Sequence, residues 1–529
     1  MEFKYGGSEI NQRTVLGHPS GLFVLFFTEM WERFSYYGMR ALLVLFLTKS
    51  ILEGGWGWER ADATLLYGWY IGLVYLTPII GGFIADKFLG FRNSVVLGAL
   101  IMTLGHASMA LEVFSNSFFY LGLVLLILGN GLFKPNISSI VGQLYKTQGK
   151  EKDAGYTIFY MGINAGAFLG ILLCGYIGEK IGWHYGFGLA GVFMFFGMLQ
   201  FYFGQKIFGK IGLKPTEVED LDDAVEESID KLEDTIEDAV EESSKSKITR
   251  DRMIVIGIFA LFTTFFWWAF EQAGGSMTIF SADYTDRALD GSTAMTFKIV
   301  NSIITIVPLA LITWVLFMLF KQTFGKYALS NIWLGISFAV IWAIVIWMLN
   351  REFSADTTEV PASWFSVLNS LFIIIFAPVF SKLWQTKLNP SGPVKFAIGL
   401  ILVGIGFAAL AYGSSGIPEG AKTASVSMIW LVLAYLFHTL GELCVSPVGL
   451  SYVSKLAPIK FVGLMFGIWF IANFLAGVIG GWTASFIDPI SEEYGLSTFF
   501  LIFTLIPAGA GVVMFLISPM IKRMMHGIK

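Results

Sequence analysis

Fourteen apolar stretches run through the chain and fix what it can fold into. They cover about 21–47, 64–88, 93–113, 118–142, 153–178 and 184–206, then 252–280, 295–320, 329–349, 362–385, 395–413, 424–453, 460–487 and 498–521 of the 529 residues. A helix needs about 20 apolar residues to cross a bilayer, and each stretch reaches that length or comes close. In lipid, every backbone N–H and C=O must be paired within the segment, so these stretches are predicted to be transmembrane helices. Only 14% of residues are charged, against about 25% in an average soluble domain. The sequence predicts an all-α polytopic membrane protein.

Charge is spread unevenly. Residues 217–242 hold 14 acidic residues and one lysine, leaving 34 basic and 25 acidic residues elsewhere. The insert divides the chain into 1–210 with six spans, an acidic linker over 211–250, and 251–529 with eight. Within it, Val218, Leu221, Val225, Ile229, Leu232, Ile236 and Val240 recur every three or four residues, which predicts an amphipathic helix. Basic residues cluster at span ends, where topology explains them, so nucleic-acid binding is not expected. With a cytoplasmic N-terminus, the inside loops hold Lys87, Arg92, Lys146, Lys150, Lys152, Lys321, Lys326, Lys382, Lys387, Lys395, Lys455 and Lys460, as the positive-inside rule requires. An even span count then puts both termini in the cytoplasm. The polar first twenty residues contain no apolar core, so no cleavable leader is expected. Cys174 and Cys444 both lie within spans, and no disulfide framework is expected.

Several residues are out of place in lipid. Glu29, Glu32 and Arg33 lie near the middle of the first span. Each costs about 2.5–3.5 kcal/mol at the centre of an inserted helix on translocon scales. At about 100° per residue, Glu29, Glu32, Arg33, Tyr36, Tyr37 and Arg40 share one side of the helix, so that side must face protein or water. Span four carries Lys134 beside Pro135, deep in the apolar run, and span five carries Asn164. Asn164 serves equally well as a ligand contact or as a hydrogen bond between helices. At the end of span two, Gly82 and Asp86 lie one turn apart, with Arg92 in the following loop. His106 and His438 read as packing histidines. Gly204 to Lys210 matches most of a phosphate loop, but Ile211 replaces its Ser or Thr and no strand precedes it, so nucleotide binding is not expected. No metal-ligand spacing or nucleophile–base pair is present, so the sequence predicts neither an enzyme, a metal site nor a cofactor.

Read together, E-x-x-E-R-F-x-Y-Y-G at 29–38, G-G-x-x-A-D at 81–86, G-x-G-x-x-K-P-N at 129–136 and F-Y-x-x-I-N-x-G at 159–166 resemble the proton-dependent oligopeptide transporter family, a branch of the major facilitator superfamily. The second half continues the match. Phe270-Glu271-Gln272 resembles the family's seventh helix, Trp364 to Pro378 with Asn369 the eighth, Gly441 to Gly449 the tenth, and Phe466 to Asn473 with Trp469 the eleventh. The resemblance implies a major facilitator fold: two six-helix bundles plus an extra pair at 295–350. It implies a proton-coupled symporter of di- and tripeptides in the bacterial inner membrane, working as a monomer by alternating access. A transporter of another anionic or zwitterionic solute is the rival. It also implies that Arg33 and Lys134 take the peptide carboxylate, and Glu442, Asn164 and Asn369 its ammonium. Tyr36, Tyr37, Tyr75, Ser446 and Trp469 would complete the substrate site. Glu29, Glu32 and Glu271, with Arg33 and Lys134, would couple protons, and Gly82, Asp86 and Arg92 would steady the moving halves. Two departures stand out. Ser370 follows Asn369 where the family usually has proline. The extra pair lies between the seventh and eighth helices by motif, rather than between the two halves.

Overall fold

The computed structural model describes residues 3–146, 149–214, 247–457 and 462–528. Most of the acidic linker, with its apolar stripe, lies outside these residues. Fourteen helices of membrane-spanning length account for the fourteen predicted spans. They are α1 Ser20–Thr48, α2 Arg60–Ile84, α3 Gly90–Ala110, α4 Asn116–Gln143, α5 Lys150–Lys180, α6 Trp183–Gly204, α7 Lys247–Phe270, α8 Gly291–Thr323, α9 Ala328–Ser354, α10 Val367–Leu383, α11 Gly392–Gly413, α12 Ile429–Leu456, α13 Val462–Ala484 and α14 Leu496–Met524. A 3-10 turn, Ala362–Ser366, leads directly into α10.

The first six helices form one bundle, in which α1 packs on α5 and α6, and α3 on α4 and α6. In the second bundle α11 packs on α12 and α14, and α7 on α13. The bundles meet where α2 lies along α13 and where α5 meets α10. Both chain ends lie on one face: Gly6 N–H donates to Leu144 O at the end of α4, Ser8 N–H to Ile207 O after α6, and His526 meets Asp251 at the start of α7. This is the terminal face, and the opposite side is the far face.

Close approach is built from glycine. Pro135 has no N–H to donate to the carbonyl of Gly131, one turn earlier. That carbonyl faces Gly81 of α2, where any Cβ would overlap it. Gly166 and Gly170 of α5 likewise press on the backbone of Met30 and Phe34 in α1. Gly82, expected from the sequence to steady the moving halves, does not make this contact. Gly82 has open space where its Cβ would be, and Gly81, one residue earlier, makes the contact. Asp86 is exposed and makes no ion pair with a described residue. Arg92 is buried, and its guanidinium donates to the carbonyls of Ile211 and Gly209, holding the segment after α6.

The pair α8–α9 docks on the first bundle although it belongs to the second half in sequence. Phe338 of α9 packs edge-on to Phe27 and Trp31 of α1, and the Ser330 hydroxyl donates to Gln200 O of α6 at 2.6 Å. Buried Lys298 of α8 donates to Ala355 O beyond the end of α9 at 2.6 Å.

The glycine contacts predict unequal tolerance within one turn of α2. Gly81→Val should lower the melting temperature in detergent by several degrees, because overpacking costs about 1–3 kcal/mol or more. Gly82→Ala should leave it nearly unchanged. Equal shifts in a thermal-denaturation assay would contradict the assigned contact.

Candidate functional site

On α1, Glu29 and Glu32 share one cation, Arg33. Arg33 forms a forked pair with Glu32, its second nitrogen 2.8 Å from Oε1, and its Nε lies 3.2 Å from Glu29. Asn130 of α4 donates to the same Glu32 oxygen at 3.2 Å. All three charged groups are buried. Glu32 is thus held on both oxygens. Glu29 keeps one buried oxygen, Oε2, without a hydrogen-bond partner among the described residues.

Farther along α1, Arg40 reaches the second bundle. It pairs with Glu271, just beyond α7, and its Nε lies 2.8 Å from the Tyr67 hydroxyl. Tyr67 in turn donates to Glu271 at 3.2 Å. Across the space between the bundles, Asn369 of α10 donates to Glu442 at 2.9 Å and to the Thr439 hydroxyl at 3.1 Å, both on α12.

These groups open onto one cavity between the bundles. Tyr37, Arg40, Tyr75, Asn164, Glu271, Asn369 and Glu442 line it, together with His438 and Ser370. Of the substrate residues expected from the sequence, Tyr37, Tyr75, Asn164, Asn369 and Glu442 are therefore brought together. Arg33, Tyr36, Lys134, Ser446 and Trp469 fall outside this lining. Arg33 stacks over the ring of Tyr36, and Lys134 over the ring of Tyr75. Trp469 packs against Gly449, where a Cβ would overlap its indole. Lys134 makes no ion pair with a described residue, and its Nζ lies 5.0 Å from the centre of the Tyr75 ring, which lines the cavity. The Asn164 amide donates to Tyr160 O within its own helix at 3.0 Å. Cys174 and Cys444 are buried free thiols, and His438 packs on Phe407 with ring centroids 4.5 Å apart. Among the described residues no cluster of His, Cys, Asp or Glu could hold a metal ion.

Sequence reasoning missed the closure on the far face. Arg60, at the start of α2, contacts Asp283 at 2.6 Å, Asp488 at 2.8 Å and the Tyr284 hydroxyl at 2.9 Å, and donates to Lys422 O at 2.8 Å. Its partners all belong to the second half, so one arginine ties the bundles together above the cavity. The pairing of Arg40 was missed as well. The signal was present: a cation inside an apolar span requires a carboxylate from elsewhere, and Glu271 is the acid within the following half's first span. Chemically, the cavity offers separated positive and negative groups at a boundary between bundles that ion pairs bridge.

The sequence pattern of the POT family matches residues 92–222 and 334–500. The chain is similar to the uncharacterized transporter YclF of Bacillus subtilis, with 35% identity over 98% of this chain and 97% of that one. It is similar to the peptide transporter YePEPT of Yersinia enterocolitica, with 33% identity over 97% and 96% of the two chains. A crystal structure of the peptide transporter POT in complex with sulfate superposes with a TM-score of 0.74 at 31% identity, covering 97% of both chains.

The buried pair between bundles predicts a stability signature. Glu271→Ala leaves Arg40 uncompensated, and breaking one side of a buried pair costs about 3–5 kcal/mol. The melting temperature in detergent should fall clearly. The double variant Arg40→Met/Glu271→Met should recover most of the loss. No recovery would show that the pair's worth lies in Arg40's bond to Tyr67 rather than in charge compensation.

Proposed function

The chain belongs to the POT family, and from that premise we propose that it imports di- and tripeptides by proton-coupled symport, through alternating exposure of the cavity between its bundles. It is a multi-pass membrane protein. The lysine and arginine bias of the short loops supports cytoplasmic termini in a bacterial inner membrane, so the far face is outside. One chain builds the whole cavity, which supports action as a monomer.

The observation that carries this reading is that one cavity is lined by both the Asn369–Glu442 pair and the Arg40–Glu271 pair, with Lys134 over the ring of Tyr75. A free peptide has an ammonium at one end and a carboxylate at the other. Glu442, fixed by Asn369 and facing Asn164, takes the ammonium. Lys134, which makes no ion pair among the described residues, takes the peptide carboxylate past Tyr75, and Tyr37 contributes wall. Arg33 carries two carboxylates already, so it acts on the substrate through Lys134 and the α1 cluster. Tyr36, Ser446 and Trp469 support the walls of the site.

Coupling follows from the same pairs. A proton on Glu271 discharges its attraction for Arg40 and loosens the boundary between bundles. Within the α1 cluster, Glu29 is the better carrier. Its free oxygen accepts a proton without breaking a hydrogen bond, whereas a proton on Glu32 must displace Arg33 or Asn130. Inward movement of one charge down the potential supplies about 2.3 kcal/mol per 100 mV. Gly82, Asp86 and Arg92 remain assigned to the conformational change, with Arg92 acting through its grip on 209–211.

The test is dipeptide uptake into proteoliposomes under an imposed pH gradient, with counterflow measured in the same preparation. The wild type should concentrate dipeptide, and absence of proton-driven accumulation would overturn the function. Glu29→Gln should lose driven accumulation and keep counterflow. Glu32→Gln should lose both, with a lower melting temperature, because it frees Arg33. The reverse pattern would exchange their roles. Glu442→Gln should weaken a dipeptide at least about tenfold, the worth of one charged hydrogen bond, and should spare an analogue lacking the amino group. Equal weakening of both ligands would remove Glu442 from ammonium recognition.

A further inference from the structure

The far-face end of α5 grips the segment that leads into α10. Glu179 of α5 accepts three hydrogen bonds from the second half: from Ala362 N–H at 2.8 Å, from Ser363 N–H at 2.9 Å and from the Ser363 hydroxyl at 2.5 Å. Trp364 Nε1 donates to Leu172 O of α5 at 2.9 Å. Gly175 makes room for the Ser363 side chain, since a Cβ there would overlap the Ser363 hydroxyl. Beside these contacts, Lys180 pairs with Glu359 at 3.2 Å. Nothing else in the fold explains why a carboxylate in one bundle should satisfy two backbone amides of the other. Backbone donors at the start of a helical segment have no partner within it, and a fixed acceptor there sets where the segment begins.

The turn Ala362–Ser366 is continuous with α10, so its position is passed to the helix. Ser366 at the end of the turn and Asn369, Ser370 and Ile373 of α10 all line the cavity, and Asn369 orients Glu442. We propose that Glu179 is a positioning residue for substrate recognition: its carboxylate, shared between Ala362 and Ser363, fixes the height and rotation of α10 and so places Asn369 against Glu442. The same bonds span the two bundles on the far face. They must part when the cavity opens to that side, and Asn369 is then released from its place. Closure of the far face and assembly of the ammonium site become one event. This rests on the proposed transport function for its kinetic readout but not for its structural one.

The test uses the full-length protein with Glu179→Ala, Glu179→Gln and Ser363→Ala. Spin labels at Ile181 and Thr357, both exposed, report the separation of α5 from the segment before α10. Cys174 and Cys444 are buried and need not be replaced. Wild type should give one short distance. Glu179→Ala should add a longer one, and the two milder variants a smaller fraction of it. In proteoliposomes Glu179→Ala should raise KM for a dipeptide about three- to tenfold, the loss of one or two net hydrogen bonds, with the maximal rate largely kept. Glu179→Gln, which retains one acceptor, should fall between. An analogue lacking the amino group should show little change in KM. Unchanged distances and KM in folded Glu179→Ala would overturn the proposal. So would a fall in maximal rate alone, which marks a purely structural contact. If Glu179→Ala fails to fold, the graded pair Glu179→Gln and Ser363→Ala carries the same comparison. If wild type transports no dipeptide, the function falls, while the label distances still decide whether Glu179 sets α10.

Discussion

Charge that cannot reach water must be paired inside the protein, and the architecture depends on where those pairs fall. Some are local. Glu29 and Glu32 both pair with Arg33 within α1, inside a single bundle. Others bridge the bundles. Arg40 with Glu271 and Arg60 with Asp283 and Asp488 join the two halves in the far-face half of the molecule. A local pair costs nothing to keep while the bundles rock. A bridging pair has to be broken, which costs about 3–5 kcal/mol for a buried pair such as Arg40–Glu271 unless a proton or a substrate charge takes a partner's place. The division between local and bridging pairs therefore separates what is rigid from what must respond to ligand.

The apolar contacts follow the same division. Within the first bundle, α1 and α5 touch backbone to backbone at Gly166 and Gly170, while Phe26 and Leu42 of α1 fill the space beside Gly162 and Gly178. Small residues suit helix association in lipid, where there is no hydrophobic gain from burying larger ones. The α2–α13 boundary between bundles also uses glycine, with Gly68 against Gly477 and Gly481. Smooth backbone surfaces let helices shift without unlocking side chains, while the bridging ion pairs supply the specificity that such surfaces lack.

Much of this was legible in the sequence, for definite reasons. The fourteen spans follow from length and apolarity alone. The intramembrane charges mark themselves by their cost, which is why Glu29, Arg33, Lys134, Glu271 and Glu442 could be singled out. The partners were harder. Arg40 and Glu271 lie 231 residues apart, and Arg60 and Asp488 lie 428 apart, so no periodicity relates them. Gly81 and Gly82 differ by about 100° around a helix, and only the position of α4 selects the first. Trp469 and Ser446 carry the right motif, but their part in the cavity depends on helix rotation that a pattern of letters does not encode.

The extra pair shows how connectivity and packing can disagree. α8 and α9 are joined at both ends to the second bundle, through 285–290 and 355–361, yet Phe338 and Ser330 seat α9 on α1 and α6. At the terminal face Arg13 donates to Gln322 O beside the end of α8. At the far face Tyr176 of α5 donates to Glu352 at 2.6 Å. The pair is thus anchored to the first bundle at both membrane surfaces. When the bundles move, it must travel with the helices it packs on rather than with those it is joined to, because packed cores resist sliding more than short connectors resist bending. The strain of opening then falls on the two connectors. One of them, 355–361, runs directly into the segment held by Glu179. An insertion that looks peripheral in sequence therefore ends at the point where far-face closure meets the helix that carries Asn369.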